Sequence, residues 1–265
     1  MVLKRLFSRS KRSSTPHSLP DGQRVYAVGD IHGRLDLLDR IIESIREDDE
    51  RRGRANTRLI FLGDLVDRGP DSKGVIDRLI QLRNSGVVAT FLLGNHDEIF
   101  LKALAGDIKA ARMLTRIGGR ETILSYGMSL EEYQAYDFHE LVRVLGRLVP
   151  SGHVEFLSTF EDYAEVGDFL FVHAGVRPGI PIDEQVPTDL RWIRREFLNS
   201  RLAHDRMVVH GHSISDEIDV RSNRIGIDTG AFASGRLTAL GLEGQDIWFL
   251  TATGAVDPKW EGITD

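Results

Sequence analysis

Residues 24–33 read RVYAVGDIHG, a short run of strand-forming residues that ends in Gly-Asp and leads into a polar segment. Apolar residues at helical spacing follow over 34–48. The same order recurs in a strand-like run TRLIFLGD (57–64), a helical pattern SKGVIDRLIQLRNSG (72–86) and a further strand-like run VVATFLLGN (87–95). This β-α-β-α-β alternation predicts a parallel sheet with crossover helices, and therefore an α/β fold.

Residues 98–150 show mainly helical spacing, with a break at the adjacent glycines 118 and 119, and predict a helical insertion over about 99–165. Further strand-like runs follow: DFLFVHAG (168–175), RMVVHGH (206–212), RIGIDTG (224–230), GRLTALGL (235–242) and DIWFL (246–250). Their short connections contain glycine and favour a second, more antiparallel sheet. The simplest interpretation is a single domain over residues 23–265.

The chain of 265 residues contains no cysteine and nine histidines. It therefore cannot form disulfides, thiolate zinc sites or a cysteine nucleophile, and a metal site must use histidine, carboxylate, amide or water ligands. The formal net charge of −6 argues against a dedicated nucleic-acid binder, and we expect no nucleic-acid partner. No apolar run approaches the roughly 18 residues of a membrane span, and we expect a cytoplasmic protein.

The first twelve residues, MVLKRLFSRSKR, carry five basic side chains and no acidic one. Together with the next segment, which is rich in serine and proline, they predict a basic, flexible N-terminal arm over residues 1–22. No apolar core follows the basic residues, so the arm does not resemble a secretory signal. Two interpretations stay open: a solvated tail, or contact with anionic surfaces through the apolar residues between the charges.

Side chains that can bind metals follow a glycine at the ends of the first three predicted strands. Because ligands gather at the carboxyl ends of parallel strands, we expect these side chains to lie close together. Histidines follow two of these strand ends and close two later strand-like runs. The resulting set offers enough oxygen and nitrogen ligands for two divalent ions: Asp30, His32, Asp64, Asn95, His173 and His212. Two metal ions bridged by Asp64 would suit in-line displacement at phosphorus.

The motif set GDIHG (29–33), GDLVDRG (63–69), GNHD (94–97), HAG (173–175) and GHS (211–213) resembles a known family. It is similar to the phosphoprotein phosphatase branch of the calcineurin-like metallophosphoesterases, in particular to the bacterial and phage lambda type. The resemblance implies a β-sandwich of two mixed sheets flanked by helices. It also implies a serine/threonine protein phosphatase that hydrolyses phosphomonoesters by attack of a hydroxide activated by two metal ions.

The resemblance also implies a role for each matching residue. Asp30 and His32 match ligands of the first metal ion, and Asp64 matches the bridging carboxylate. Asn95, His173 and His212 match ligands of the second ion. His96 matches the general acid, Asp67 its carboxylate partner, and Arg68 an arginine that binds phosphate. A second phosphate-binding arginine corresponds best to Arg194, with Arg191 and Arg195 as competitors. Mixed Asp, His and Asn ligands suit Mn²⁺ best, and also Fe²⁺ or Zn²⁺.

The substrate is the least determined part of this interpretation. A phosphoprotein or phosphopeptide is favoured by Asp67-Arg68, because symmetrical diadenosine-tetraphosphate hydrolases usually lack that Asp. Such a hydrolase, or another nucleotide phosphohydrolase, is the alternative, and Asp97 favours it because GNHD is common in that group. A non-catalytic binding module on a phosphatase scaffold is a third possibility, but no position of the motif set is lost here. Asp228 of IDTG is a candidate for orienting a ligand histidine.

Overall fold

The first sheet is built as the β-α-β-α-β pattern predicts. The computed structural model describes residues 17–256. Its first elements in chain order are β1 (Gln23–Val28), α1 (Leu35–Arg52), β2 (Asn56–Phe61), α2 (Ser72–Asn84) and β3 (Ala89–Phe91). β1 pairs with β2 and β2 with β3, both in parallel, and Val28 stands opposite Phe61. This register brings the carboxyl ends of β1 and β2, with the polar residues that follow them, to one edge of the sheet.

A run of helices follows β3, in agreement with the helical spacing of the sequence. The helices are α3 (Asn95–Leu104), α4 (Ile108–Arg116), α5 (Gly119–Ser125), α6 (Leu130–Ala135), α7 (Phe138–Leu148) and α8 (Ser151–Leu157). Asp107 directly precedes α4, and its side chain accepts the backbone N–H groups of Lys109 and Ala110. Ser129 directly precedes α6, and its side chain accepts the Glu132 N–H. The insertion predicted over 99–165 is helical as far as Leu157, and its last residues belong to a strand of the second sheet.

The second sheet contains β4 (Tyr163–Val166), β5 (Phe169–Val172), β6 (Met207–His210), β7 (Asp219–Val220) and β8 (Arg224–Gly226). A 3₁₀ turn (Ile182–Glu184), α9 (Pro187–Trp192) and α10 (Arg195–Leu198) connect β5 to β6. The strand order is β4-β5-β6-β8-β7, with a parallel centre of β5, β6 and β8 and an antiparallel strand at each edge.

The last strands do not join the second sheet, and the expectation of a more antiparallel second sheet is therefore wrong. After α11 (Ala231–Ser234), β9 (Arg236–Glu243) pairs antiparallel with β1, and β10 (Asp246–Thr253) pairs antiparallel with β9. The first sheet thus has the order β10-β9-β1-β2-β3. Sequence periodicity reports which residues are buried but not which strand lies beside them, so it cannot assign a late strand to a sheet. The predicted sandwich of two mixed sheets flanked by helices is confirmed.

Side chains alternate between two apolar layers, as the period of two in a strand requires. Val25 and Ala27 of β1 face the second sheet, where they pack in one cluster with Phe169 and Phe171 of β5. The intervening Tyr26 packs instead against the cluster under α1 and α2. The outer face of the second sheet is covered by α9 and α10, which contribute a third cluster. Both sheets are therefore held rigidly face to face.

Most of the predicted N-terminal arm lies outside the described residues. Its last part is described, and there Leu19 is buried in the cluster between the sheets, with its backbone N–H bonded to Gly244 O at 2.8 Å. The Ser18 backbone N–H donates to the Asp168 carboxylate at 3.0 Å. Across residues 17–256, no helix combines the length and the apolar character that a membrane crossing requires.

Candidate active site

The site lies at the seam between the two sheets, where strand ends meet. Gly63 (φ +103°) and Gly94 let the ends of β2 and β3 approach closely, since a Cβ on Gly94 would lie 2.1 Å from Asp64 Oδ1. Asp64 Oδ1 also accepts the backbone N–H of His96, which lies in the first turn of α3, at 2.9 Å. From the second sheet, Gly211 N–H donates to His173 O at 2.8 Å and places the two later histidine segments side by side.

Backbone strain is concentrated at the site. Within residues 17–256, the non-glycine residues with positive φ are His32 (45°), Asp64 (50°), Asp67 (73°), Arg68 (68°) and His212 (63°). Left-handed conformations cost residues with a Cβ about 1 kcal/mol or more each, and they persist only where the surrounding structure enforces them. All five are residues to which the ligand pattern or the family resemblance assigns a role at the site. Strain of this kind is typical of pre-organised functional sites.

All six predicted metal ligands are buried at one place around Asp64. Asp64 Oδ2 lies 3.6 Å from His32 Nε2, and Asp64 Oδ1 lies 3.4 Å from His173 Nε2. Asn95 Oδ1 is 3.0 Å from the same His173 nitrogen. Two overlapping groups have ligand atoms within 4.8 Å of one another: His32, Asp64 and His96, and Asp64, His173 and His212. Asp64 belongs to both, which is the position that a bridging carboxylate requires.

The donor set fits a pair of divalent cations. His32 and His173 each place Nδ1 at 2.8 Å from a backbone carbonyl, of Val66 and Leu62 respectively. A carbonyl only accepts, so both Nδ1 atoms carry a proton, and Nε2 is the atom of each ring that faces Asp64 and could bind a metal ion. Asp30 Oδ2 accepts the His212 backbone N–H at 3.0 Å, whereas its Oδ1 is buried without a hydrogen-bond partner among the described residues. An unsatisfied buried carboxylate oxygen is costly, and a cation beside it would remove that cost.

The buried charges perturb one another strongly. Burial opposes ionisation of Asp64, but the neighbouring His173 and His96 hold its pKa well below the usual value. Burial would lower the pKa of His173, but the Asp64 carboxylate raises it to about 10. Burial and then Asp228 raise the pKa of Asp30 well above its usual value. Without a metal ion, a second proton on the His173 ring, at Nε2, therefore places positive charge beside the Asp64 carboxylate. A bound cation would replace that proton.

His96 and Asp67 form a buried pair beside this cluster. His96 Nδ1 lies 2.7 Å from Asp67 Oδ2, and neither side chain is more than 3% exposed. The opposite ring nitrogen, Nε2, lies 3.4 Å from Arg68 Nη2 and 3.9 Å from Asp64 Oδ2. Burial raises the pKa of Asp67, although its bond to His96 counteracts this in part. The carboxylate fixes the ring orientation and leaves Nε2 directed at the centre, where an acid could protonate a leaving oxygen.

The structure separates the three arginine candidates. Arg194 Nε donates to His212 Nε2 at 3.1 Å, so this side chain reaches the ligand cluster. Arg191 instead bonds Asp162 Oδ1 at 2.9 Å and Glu98 Oε1 at 3.1 Å. Arg195 opens the short helix α10 and is exposed. Arg68 packs over the Phe232 ring at 4.5 Å, which holds its guanidinium near His96. Arg68 and Arg194 therefore both reach the residues around Asp64, Arg68 at His96 and Arg194 at His212.

Two acidic residues discussed from the sequence have local contacts. Asp97 Oδ1 accepts the Leu65 N–H at 3.0 Å and its Oδ2 accepts the Gly94 N–H at 3.2 Å, so it ties the β2 and β3 ends together. Burial, followed by repulsion from Asp64, raises the pKa of Asp97 to about 7. Asp228 Oδ1 accepts the Gly230 N–H at 2.9 Å. Within residues 17–256 Asp228 has no hydrogen bond to a ligand histidine, so the expectation that it orients one is not supported.

Sequence reasoning missed several residues that contact the site. Thr122 and Ser72 hydrogen-bond to Asp67, and the Phe232 ring packs against His32 at a centroid distance of 5.4 Å. None has a side chain that metal or acid–base motifs select. The only sequence signal for Thr122 was its position after the paired glycines at 118 and 119.

A family model and related proteins match the sequence of this chain. The model of the calcineurin-like phosphoesterases matches residues 23–236. The chain is 25% identical over 282 residues to a symmetrical bis(5'-nucleosyl)-tetraphosphatase of Nitrosospira multiformis, covering 87% of this chain and 96% of that protein. It is 28% identical over 238 residues to an asymmetrical bis(5'-nucleosyl)-tetraphosphatase, PrpE, of Anoxybacillus flavithermus, covering 80% of this chain and 88% of that protein.

The fold has solved counterparts as well. A crystal structure provisionally named a diadenosine tetraphosphatase superposes with a TM-score of 0.62, covering 91% of this chain and all of that chain at 23% identity. At this identity the likeness concerns the fold alone.

Proposed function

The chain belongs to the calcineurin-like phosphoesterases, enzymes that hydrolyse phosphoester bonds with divalent metals, and we propose that it is a bis(5'-nucleosyl)-tetraphosphatase. The observation that carries this proposal is the similarity, over nearly the whole of both chains, to the Nitrosospira tetraphosphatase. It reverses the preference drawn from the sequence, in which a protein phosphatase came first and the dinucleotide hydrolase second.

The chemistry divides between the metal ions and the side chains. Two divalent ions, held by Asp30, His32, Asp64, Asn95, His173 and His212, would supply Lewis-acid charge neutralisation and water activation. Arg68 and Arg194 hold the non-bridging oxygens of the phosphate under attack, for which the planar guanidinium is suited. His96 gives a proton to the leaving oxygen, and Asp67 keeps its ring in the required orientation.

A groove beside the site supports a substrate larger than a phosphate group. It has a volume of about 520 Å³ and begins at Gly69, the residue after Arg68. Its apolar lining comes from Leu35, Pro70, Phe232 and Val256, and its charged lining from Arg34, Asp36, Asp39 and Asp71. A nucleoside joined to the phosphate chain has a flat apolar face of the kind that such a lining accepts.

The proposal is tested by comparing two substrates on the same metal-loaded protein. We expect diadenosine tetraphosphate to be hydrolysed with a kcat/KM at least about tenfold above that of a phosphoserine peptide, because binding energy from the second nucleotide is available only there. Products are identified by anion-exchange chromatography. ADP alone indicates symmetrical cleavage, whereas ATP with AMP indicates asymmetrical cleavage. Faster turnover of the phosphopeptide would contradict the proposal.

A serine/threonine protein phosphatase remains the second candidate function, and one observation favours it. The 2.7 Å contact between His96 Nδ1 and Asp67 Oδ2 creates a held imidazole acid. A serine alkoxide is a far more basic leaving group than a nucleotide phosphate, so it depends more on such an acid. The substrate comparison described above distinguishes the two functions.

Metal removal gives a prediction that is independent of the substrate. Chelated protein is expected to lose activity on an aryl phosphate, and Mn²⁺ is expected to restore it because the ligand set suits this ion. A site saturated at about 100 Kd also stabilises the folded state by about 2.7 kcal/mol. The accompanying rise in the thermal unfolding midpoint is measured by calorimetry. If no divalent ion restored turnover or raised the midpoint, a functional metal site would be excluded.

A further inference from the structure

Helix α5 of the helical insertion contacts the loop that carries Asp67 and Arg68. Gly118, just before the helix, accepts the Arg68 backbone N–H at 2.9 Å. A Cβ on Gly118 would lie 2.8 Å from Arg68 Cγ, so this approach needs glycine. One turn later, Thr122 reaches Asp67 itself, and both residues are fully buried. The insertion therefore contacts Asp67, the carboxylate of the candidate acid pair, directly.

The hydrogen bonds around Thr122 can be assigned completely. Thr122 Oγ1 lies 2.7 Å from Asp67 Oδ1, 2.8 Å from Asp67 N and 2.9 Å from Ser72 Oγ. A hydroxyl has one proton and two acceptor positions. A carboxylate oxygen only accepts, so the Thr122 proton goes to Oδ1. The hydroxyl then accepts from Asp67 N–H and from the Ser72 hydroxyl, while Ser72 Oγ accepts from Asp67 N–H at 3.1 Å.

This network determines the orientation of the Asp67 carboxylate. Asp67 sits at φ +73°, a conformation that needs outside support, and its N–H is bonded to both hydroxyls. With Oδ1 occupied by Thr122, Oδ2 is directed at His96 Nδ1. Loss of the Thr122 hydroxyl would leave Oδ1 and the Asp67 N–H under-satisfied in a site that water does not reach. The carboxylate would then be free to turn away from the imidazole.

We propose that Thr122 is a positioning residue, which acts through Asp67 to hold His96 in the geometry for proton donation. This inference rests on the acid role given to His96 in the proposed function, but not on the identity of the nucleotide substrate. It assigns the helical insertion a part in the reaction through α5.

Two substitutions at this position separate the hydroxyl from the shape of the side chain. Thr122→Val keeps the volume and removes the hydrogen bonds of the hydroxyl, whereas Thr122→Ser keeps the hydroxyl and removes a methyl group. Ser125→Ala is the matched control, since Ser125 Oγ lies on the next turn of α5 and accepts the Lys73 N–H at 3.2 Å without touching Asp67. Thermal unfolding and metal content are measured for each variant, so that failure to fold is recognised.

The assay uses two aryl phosphates that differ in the basicity of the leaving group, 4-nitrophenyl phosphate and phenyl phosphate. Loss of a positioned acid slows the ester with the more basic leaving group more strongly. We expect Thr122→Val to lower kcat on phenyl phosphate by roughly 30-fold and on 4-nitrophenyl phosphate by roughly threefold, with KM nearly unchanged. The kcat of Thr122→Ser should lie within about threefold of the wild-type value, and the kcat of Ser125→Ala should equal the wild-type value.

Equal losses on the two esters, or a serine variant no better than the valine variant, would overturn the proposal. So would wild-type protein that turns over neither ester, because the acid role would then be unsupported. Diadenosine tetraphosphate is assayed in parallel on the wild type. Failure on the dinucleotide with the expected pattern on the aryl esters would count against the proposed function and leave the role of Thr122 intact.

Discussion

Asp64→Asn is expected to abolish phosphoester hydrolysis and to weaken the binding of both metal ions. Asp64 belongs to both groups of potential ligands, so one change of charge affects two sites at once. The charge stabilisation that metals provide at a phosphoryl group is worth several kcal/mol. Its loss corresponds to a decrease in kcat of about a thousandfold or more. Activity on an aryl phosphate and metal content after dialysis are the two measurements.

The amide keeps the size of the side chain, and its oxygen can still accept the His96 backbone N–H, so the fold is expected to persist. Asp107→Asn is the matched control. Asp107 directly precedes α4 and its side chain accepts the Lys109 N–H at 2.7 Å, and asparagine is an equally good residue at such a position. The control should keep its activity and its metal. An Asp64→Asn variant that retained two metal ions would show that this carboxylate does not bridge them.

His96→Asn is expected to lower kcat by roughly 100-fold to 10,000-fold while metal content stays unchanged, because general acid catalysis contributes about that much. The size of the effect depends on the leaving group, as described for Thr122, and is larger for an alkyl or phenyl ester than for a nucleotide. Steady-state kinetics and metal analysis of the same preparation provide the measurement.

The His96→Asn variant also distinguishes a metal ligand from a general acid at this position. His96 Nε2 groups with His32 and Asp64 as closely as a ligand would, although its Nδ1 is bonded to Asp67 as an acid would require. Loss of metal from His96→Asn would make it a ligand and contradict the acid role. His139→Asn, on the exposed surface of α7, is the control and should behave like the wild type.

The two variants together separate metal binding from proton transfer. Asp64→Asn is predicted to lose both activity and the stabilisation that Mn²⁺ provides on thermal unfolding. His96→Asn is predicted to lose activity and to keep that stabilisation. Their effects on kcat should not be additive in the double variant, because a site without metal has no rapid reaction left for an acid to assist.

The substrate is where sequence reasoning chose the less supported alternative. The residues that it recognised surround the phosphate under attack, and that chemistry is the same for a phosphoserine, an aryl ester and a dinucleotide. Asp67 was taken to favour a protein phosphatase, and Asp97 to favour the hydrolase. In the structure Asp97 is fully buried and bonds two backbone amides. Asp97 therefore has a structural role in joining the strand ends. Substrate choice depends instead on the surfaces around the site.

Much of the first sheet and of the candidate site could be predicted from the sequence, because both depend on local patterns. Apolar periodicity located β1, α1, β2 and α2. A glycine followed by Asp or Asn marked the strand ends, which the parallel pairing of β1 with β2 then places at one edge. The β9 strand was located as well, but its antiparallel pairing with β1 is a long-range contact that no local pattern encodes.

By itself, the sequence determined the chemical groups of this protein: carboxylates, imidazoles and an amide at strand ends, with no thiol that could compete for a metal. Only the tertiary structure decided how those groups are oriented. The His173 ring is fixed by the Leu62 carbonyl of the other sheet, and Asp67 is fixed by Thr122, 55 residues further along the chain. The physical reason is that a hydroxyl or a carbonyl becomes a positioning group only when packing buries it against its partner and removes the competing water.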